Sequence, residues 1–142
     1  MNDVQAAIAE IAGEFSFFSD WEERYGHLLD LGRALAPLTD EERNEATKVR
    51  GCASQVWLVS ERHADAPGRL FFRGDSDAHL VRGLIAVMLR IFSGRTPAEI
   101  LSVEPQAAFF ELGLKDALTP QRSNGAFAMM QRIQRDAAAA QA

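Results

Sequence analysis

Val4, Ala7, Ile8, Ile11, Ala12, Phe15 and Phe18 recur at i, i+3 and i+4 intervals. That spacing gathers them on one stripe and predicts an amphipathic helix over 3–18, with Asn2 or Asp3 as its cap. A second helix opens at Asp20, which forms with Glu23 an Asp variant of the capping box. Trp21, Tyr25, Leu28, Leu29 and Leu35 supply its buried stripe, and Pro37 ends it. Thr39 with Glu42 repeats the cap signal and predicts a short helical turn over 40–46.

The period then changes. Gln55 to Arg62 is rich in β-branched and aromatic residues and predicts a strand; Ala64 to Gly68, with Pro67, is a turn, and Arg69 to Arg73 is the antiparallel partner. A third short strand around Lys48 to Arg50 completes a small meander, with Gly51 and Cys52 in the bend between two strands. Two-stranded ribbons are marginal in water, so helices must cover one face of this sheet.

Helical spacing returns after Ser76 or Asp77, the expected caps of a run to Phe92. Leu80, Leu84, Val87, Met88 and Ile91 cover one face of it, and Val81, Ile85, Leu89 and Phe92 widen that face, so this is the helix expected to be most buried. Gly94 suits the stop. Thr96-Pro97-Ala98-Glu99 starts a short helix to Ser102, and Pro105 begins another that ends at Gly113. A final helix runs from about Pro120 with Ala126, Met129, Met130 and Ile133 inward, and the alanine-rich tail 137–142 is expected to fray. The expected fold class is α+β: residues 1–142 as a single compact domain, a small three-stranded antiparallel sheet packed against several helices.

Composition narrows the function. The chain has 142 residues, 47% hydrophobic and 25% charged, which is ordinary for one globular core. Fifteen basic residues against 20 acidic ones leave a net charge of -5, with a pI near 5.2. That balance argues against nucleic-acid binding and against docking on anionic membranes, both of which need a basic footprint. The most apolar stretch, Leu84 to Leu89, is interrupted by Arg90 and falls far short of the roughly 20 residues of a membrane helix. The first residues have no cationic segment before an apolar run, so a cytoplasmic location is expected.

A single cysteine, Cys52, excludes an intramolecular disulfide, a CxxC pair and a four-cysteine metal site. A lone cysteine is commonly an inert buried hydrophobe. Cys52, however, follows Gly51 in a bend, where loops carry function, and Lys48 and Arg50 precede it, a setting that favours the thiolate. His27, His63 and His79 are available as bases for a cysteine hydrolase, but none stands in a recognisable signature, and none has metal-ligand spacing with Cys52, so no metal is expected. Gly83 and Gly125 inside helices mark sites of close packing.

Val49-Arg50-Gly51-Cys52-Ala53-Ser54-Gln55-Val56-Trp57 resembles the active-site segment of the SufE family, sulfur-accepting partners of cysteine desulfurases in iron–sulfur cluster assembly. Asp20-Trp21-Glu22-Glu23-Arg24-Tyr25 resembles the family's second-helix opening, and Gly74-Asp75-Ser76-Asp77-Ala78 with Val81-Arg82-Gly83-Leu84-Ile85-Ala86 its strand-to-helix junction. Phe110-Glu111-Leu112-Gly113-Leu114 and Pro120-Gln121-Arg122-Ser123-Asn124-Gly125 are similar to its C-terminal blocks, in family order. Gln121 departs from the Ser that commonly precedes this Arg, a change expected to touch only a local cap.

The resemblance implies a fold similar to the cluster scaffold IscU and a role for Cys52: attack on the persulfide held by the desulfurase, carriage of the sulfur, and stimulation of that enzyme. The protein would be a carrier rather than an enzyme. Gly51, Ser54, Gln55, Arg50, Arg122 and Asn124 are then expected to support the loop or dock the partner, with Arg122 and Asn124 near Cys52. The partner is a SufS-like or CsdA-like desulfurase, which holds the pyridoxal phosphate; this chain has no cofactor of its own, and a SufBCD-like scaffold complex lies downstream. Sulfur transfer needs one nucleophilic thiol, whereas a cluster scaffold needs several ligands, so one cysteine fits the donor side. Trp57, Val56, Leu84 and Met88 are the expected apolar cover of the loop, and a monomer or weak dimer is the expected state. Two alternatives remain at this point: a thiol hydrolase with a histidine beside Cys52, and a regulatory module that activates the desulfurase without carrying sulfur.

Overall fold

The computed structural model describes residues 3–114 and 118–141. Its elements run α1 (Asp3–Ser16), α2 (Trp21–Ala34), β1 (Val56–Glu61), β2 (Phe71–Ser76), α3 (His79–Phe92), α4 (Pro97–Leu101), α5 (Pro105–Leu112) and α6 (Pro120–Gln141). The architecture is α+β, helices packed on a small antiparallel sheet.

Val4, Ile8, Ile11 and Phe15 form the buried stripe of α1. Asp3 is its first residue rather than its cap, and Asn2 lies outside the described residues. The Asp20 carboxylate caps α2 by accepting from the Glu23 amide at 2.8 Å. Leu28 is buried and Tyr25, Leu29 and Leu35 half-buried, but Trp21 is 55% exposed. At the first helical position a side chain leans back past the helix start, where nothing in the core waits for it. The line that α2 buries is Leu28 and Gly32, laid against α3. A Cβ at Gly32 would stand 2.7 Å from the His79 carbonyl oxygen, and one at Gly83 would fall on the Leu28 carbonyl, so the two helices cross at the closest separation that backbones allow.

Thr39 and Glu42 exchange the expected cap bonds, at 3.0 and 3.2 Å. No helix follows, because the Asn44 side chain accepts from the Ala46 and Thr47 amides and diverts the backbone into turns.

The sheet has two strands where three were expected. β1 and β2 pair in antiparallel register from Val56 with Ser76 to Glu61 with Phe71. The segment predicted as a third strand makes a single bridge, Lys48 with Trp57, before Gly51 at φ 89° turns the chain away. β2 starts and ends later than Arg69 to Arg73 and takes in Ser76, whose hydroxyl donates to the Gln55 carbonyl at 2.6 Å. The expected caps of α3 are thereby used elsewhere: Asp77 accepts from the Gln55 amide at 3.1 Å, and the N-cap position falls to Ala78, which makes no side-chain cap bond.

What holds this junction is Asp75. Its buried carboxylate accepts from the Leu38 amide at 3.0 Å and pairs with Arg43 at 3.1 Å and with Arg82. Arg82 also donates to the carbonyls of Gly32 at 3.2 Å and Leu35 at 2.5 Å, tying the end of α2 to the start of α3.

Leu84, Ile85, Val87, Met88, Ile91 and Phe92 are almost wholly buried, as the pattern predicts, and α3 touches α1, α2, β2 and α6. At roughly 1.5–3 kcal/mol per buried side chain, α3 is the element the others pack around. Gly94 and Gly113 close α3 and α5 in left-handed conformations, and Thr96 with Glu99 makes a full capping box on α4. In the tail, α6 is helical through Gln141, Ala137 is buried, and the Ala140 carbonyl accepts from Arg62 at 2.7 Å. Ala142 lies outside the described residues. No described helix is long and apolar enough to cross a membrane.

Candidate functional site

Gly51 takes a left-handed φ of 89°, which an L side chain rarely adopts, and a Cβ there would lie 3.3 Å from the Ala128 Cβ. The bend therefore presses directly on α6. One helical turn earlier, Gly125 leaves the space for the next residue, Cys52, whose thiol donates to the Gly125 carbonyl oxygen at 3.6 Å. The sequence marks Gly125 as a close-packing site, but a Cβ there would make only ordinary contact, 3.8 Å from the Cys52 sulfur.

Cys52 is half-buried and opens into a pocket of about 110 Å³, lined also by Ser54, Val81, Leu84, Arg122 and Met129. Burial pushes its thiol above the ordinary range, and no charge offsets the desolvation. The cations that precede it act elsewhere: Arg50 is exposed and pairs with Glu45 at 2.7 Å, and it and Lys48 line a separate groove. Sequence adjacency placed them by the thiol; the bend at Gly51 turns them away, so the expected thiolate-favouring neighbours are absent from this pocket.

Arg122 lines the Cys52 pocket. Its Nη1 atom is buried with no hydrogen-bond partner among the described residues. Ser54 joins the lining, while Gln55 holds the outgoing chain through its backbone, its amide to Asp77 and its carbonyl to Ser76. Asn124 is exposed and lines a different, apolar groove with Phe109, Phe110, Leu118, Pro120 and Phe127, away from Cys52. Of the expected cover, Leu84 lines the pocket; Val56 and Met88 are in the core, and Trp57 lies under the Arg43 guanidinium, 6.0 Å from its ring centroid.

Val81, Met129 and Gln121 were not foreseen. Gln121 belongs to the pocket lining rather than to a cap, and the cap bond to the Arg122 amide comes from Thr119 at 3.2 Å. Residues 121, 125 and 129 are four apart, so the helical period names them once Gly125 is known to face the thiol.

No histidine lines the pocket. His27 pairs with Glu14 at 2.8 Å, His63 contacts Glu61 at 3.2 Å and stacks on Phe71, and His79 is exposed at the start of α3. A Cys–His hydrolase has no base here. Among the described residues no group of three His, Cys, Asp or Glu side chains is placed to hold a metal ion.

The sequence profile of SufE, an Fe–S metabolism associated domain, matches residues 9–137. The chain belongs to the SufE family. A SufE-like protein of Rhizobium etli is 44% identical over 133 residues, covering 93% of this chain and 90% of that relative. One from Rhizobium meliloti is 42% identical over 132 residues, covering 92% and 94%. The fold is shared with the solution structure of a hypothetical protein from Thermus thermophilus, with a TM-score of 0.76 at 20% identity over 94% of this chain and 95% of that one. Membership of SufE associates the protein with Fe–S metabolism.

Proposed function

We propose that this SufE-family protein accepts sulfane sulfur on Cys52 from the persulfide of a cysteine desulfurase and carries it toward Fe–S cluster assembly. In that step the Cys52 thiolate attacks the outer sulfur of the partner's persulfide. A new S–S bond forms on Cys52, the partner's S–S bond breaks, and its cysteine leaves as a thiolate, with no net oxidation. Pyridoxal phosphate belongs to the partner, a SufS-like or CsdA-like enzyme, and this chain needs no cofactor. A SufBCD-like complex is the proposed acceptor.

The observation that carries the reading is the pocket itself. A lone cysteine packed as a core residue fills its space; Cys52 instead faces a cavity of about 110 Å³, more than one additional sulfur atom occupies. Arg122 lines the same cavity, and its buried Nη1, without a partner among the described residues, is the proposed partner of the anionic outer sulfur of a Cys52 persulfide. With no other cysteine in the chain, the persulfide has no internal thiol with which to collapse.

The raised thiol pKa favours a second reading, in which docking alone stimulates the desulfurase. Mass spectrometry after incubation with a cysteine desulfurase, pyridoxal phosphate and cysteine separates the two. An adduct of about 32 Da on Cys52, absent from Cys52→Ser, is the expected result for a carrier. A complex that forms and stimulates turnover but leaves Cys52 unmodified would select the regulatory module.

A further inference from the structure

Lys48, Arg50, Arg132 and Arg135 converge on one groove of about 440 Å³, where Glu45 is the one carboxylate among the described lining residues and Asp136 pairs with Arg132. The chain as a whole carries a net charge of -5, so this face reverses the sign of the rest of the molecule. We infer that the groove docks an acidic segment of the cysteine desulfurase and sets that enzyme over the Cys52 pocket, an inference that rests on the carrier reading above.

The cations are not accounted for by the fold. Lys48 and Arg135 make no ion pair among the described residues, and the Arg50–Glu45 pair is 74% and 78% exposed, a geometry worth little to stability. Arg132 differs. It donates to the Lys48 carbonyl at 2.8 Å and the Ala46 carbonyl at 2.7 Å and pairs with Asp136 at 3.2 Å, so it clamps the segment that carries Lys48 and Arg50 onto α6. The positive face is therefore held in place relative to the helix rather than borne on a loose loop.

The groove also lies beside the site along α6. Ala128 lines its floor and is the residue that Gly51 presses against, while Gly125, one turn earlier on α6, receives the Cys52 thiol. A partner held by carboxylates in this groove thus lies one helical turn from the pocket. On a chain of net charge -5, a local positive face orients the approach of a carboxylate-bearing segment and raises its rate.

The test compares the wild-type chain with Lys48→Glu, Arg135→Glu and Arg33→Glu. Arg33 is an exposed arginine of α2 outside the groove, and its reversal makes the same change in net charge. Binding to the desulfurase is measured by stopped-flow and equilibrium fluorescence at low and high salt, and the Cys52 adduct by mass spectrometry at saturating desulfurase. Lys48→Glu and Arg135→Glu are expected each to weaken binding by about tenfold at low salt, mainly through slower association, with the loss shrinking as salt rises. Arg33→Glu is expected to stay within about twofold of wild type, and both groove variants to load Cys52 fully once saturated. Unchanged affinity in the groove variants, an equal loss in Arg33→Glu, or no wild-type complex at all would overturn the groove. A wild-type complex without a Cys52 adduct, with binding still weakened by the groove variants, would sink the carrier reading and leave the docking surface standing.

Discussion

The Cys52 thiol meets the Gly125 carbonyl oxygen at 3.6 Å, so this sulfur rests on the backbone of α6 at the one residue of that turn without a side chain. A Cβ added at Gly125 would lie 3.8 Å from the sulfur, an ordinary contact. Gly125→Ala should therefore fold with Cys52 in place and gain up to about 1 kcal/mol from helix propensity, read from the urea midpoint. A leucine there has no such room. Gly125→Leu should block alkylation and sulfur loading of Cys52, and loading at the wild-type rate would mean that the pocket does not house the sulfur.

Burial holds the Cys52 thiol above its ordinary range. In the free protein the pH midpoint for alkylation by iodoacetamide should lie above the roughly 8.5 of an unperturbed cysteine. The same shift bears on stability. As pH rises past the ordinary value the unfolded thiol ionises while the folded one keeps its proton. The contribution is thus complete below that value and is lost as pH climbs toward the raised one. Cys52→Ala should remove this alkaline slope from the unfolding curve, and identical slopes in mutant and wild type would contradict the shift.

Gly83 is the point at which α3 crosses α2. Its missing side chain lets the Leu28 carbonyl sit where a Cβ would be, and rigid backbone stands on both sides. Gly83→Ala should cost about 2–3 kcal/mol by thermal or urea unfolding even after the helix-propensity gain of about 1 kcal/mol, because the helices must separate along the Leu28–Gly32 line. An alanine variant as stable as wild type would show that the crossing is looser than this.

Local signals were legible because local chemistry decides them. The Thr96–Glu99 box, the Asp20 cap and the left-handed stops at Gly94 and Gly113 need only a few neighbouring residues. The Lys48–Arg50 strand was misread because its pairing depends on how far the chain follows Trp57 before Gly51 turns it, which no local pattern states. Lys48 and Arg50 were assigned to the thiol by adjacency, yet the same turn faces them into the groove behind it. The Arg122–Asn124 pair was answerable from the helical period. Two residues apart on a helix means about 200° apart, so only one of them faces Cys52, and the burial of Arg122 Nη1 shows which.

Arg122 sets stability against function. A buried donor without a partner costs about 1–3 kcal/mol, and its guanidinium Nη1 has none among the described residues. Methionine has similar reach and no donor to satisfy. Arg122→Met should therefore unfold at higher urea than wild type, provided the apolar chain fills the space beside Val81 and Met129. In the carrier reading that nitrogen is the partner of an anionic persulfide, so the same variant should lose its Cys52 adduct faster once the desulfurase is removed, followed by mass spectrometry over time. Higher stability with an adduct of unchanged lifetime would assign Arg122 to some task other than holding the sulfur. Lower stability would mean that the guanidinium is better satisfied in solution than its burial implies.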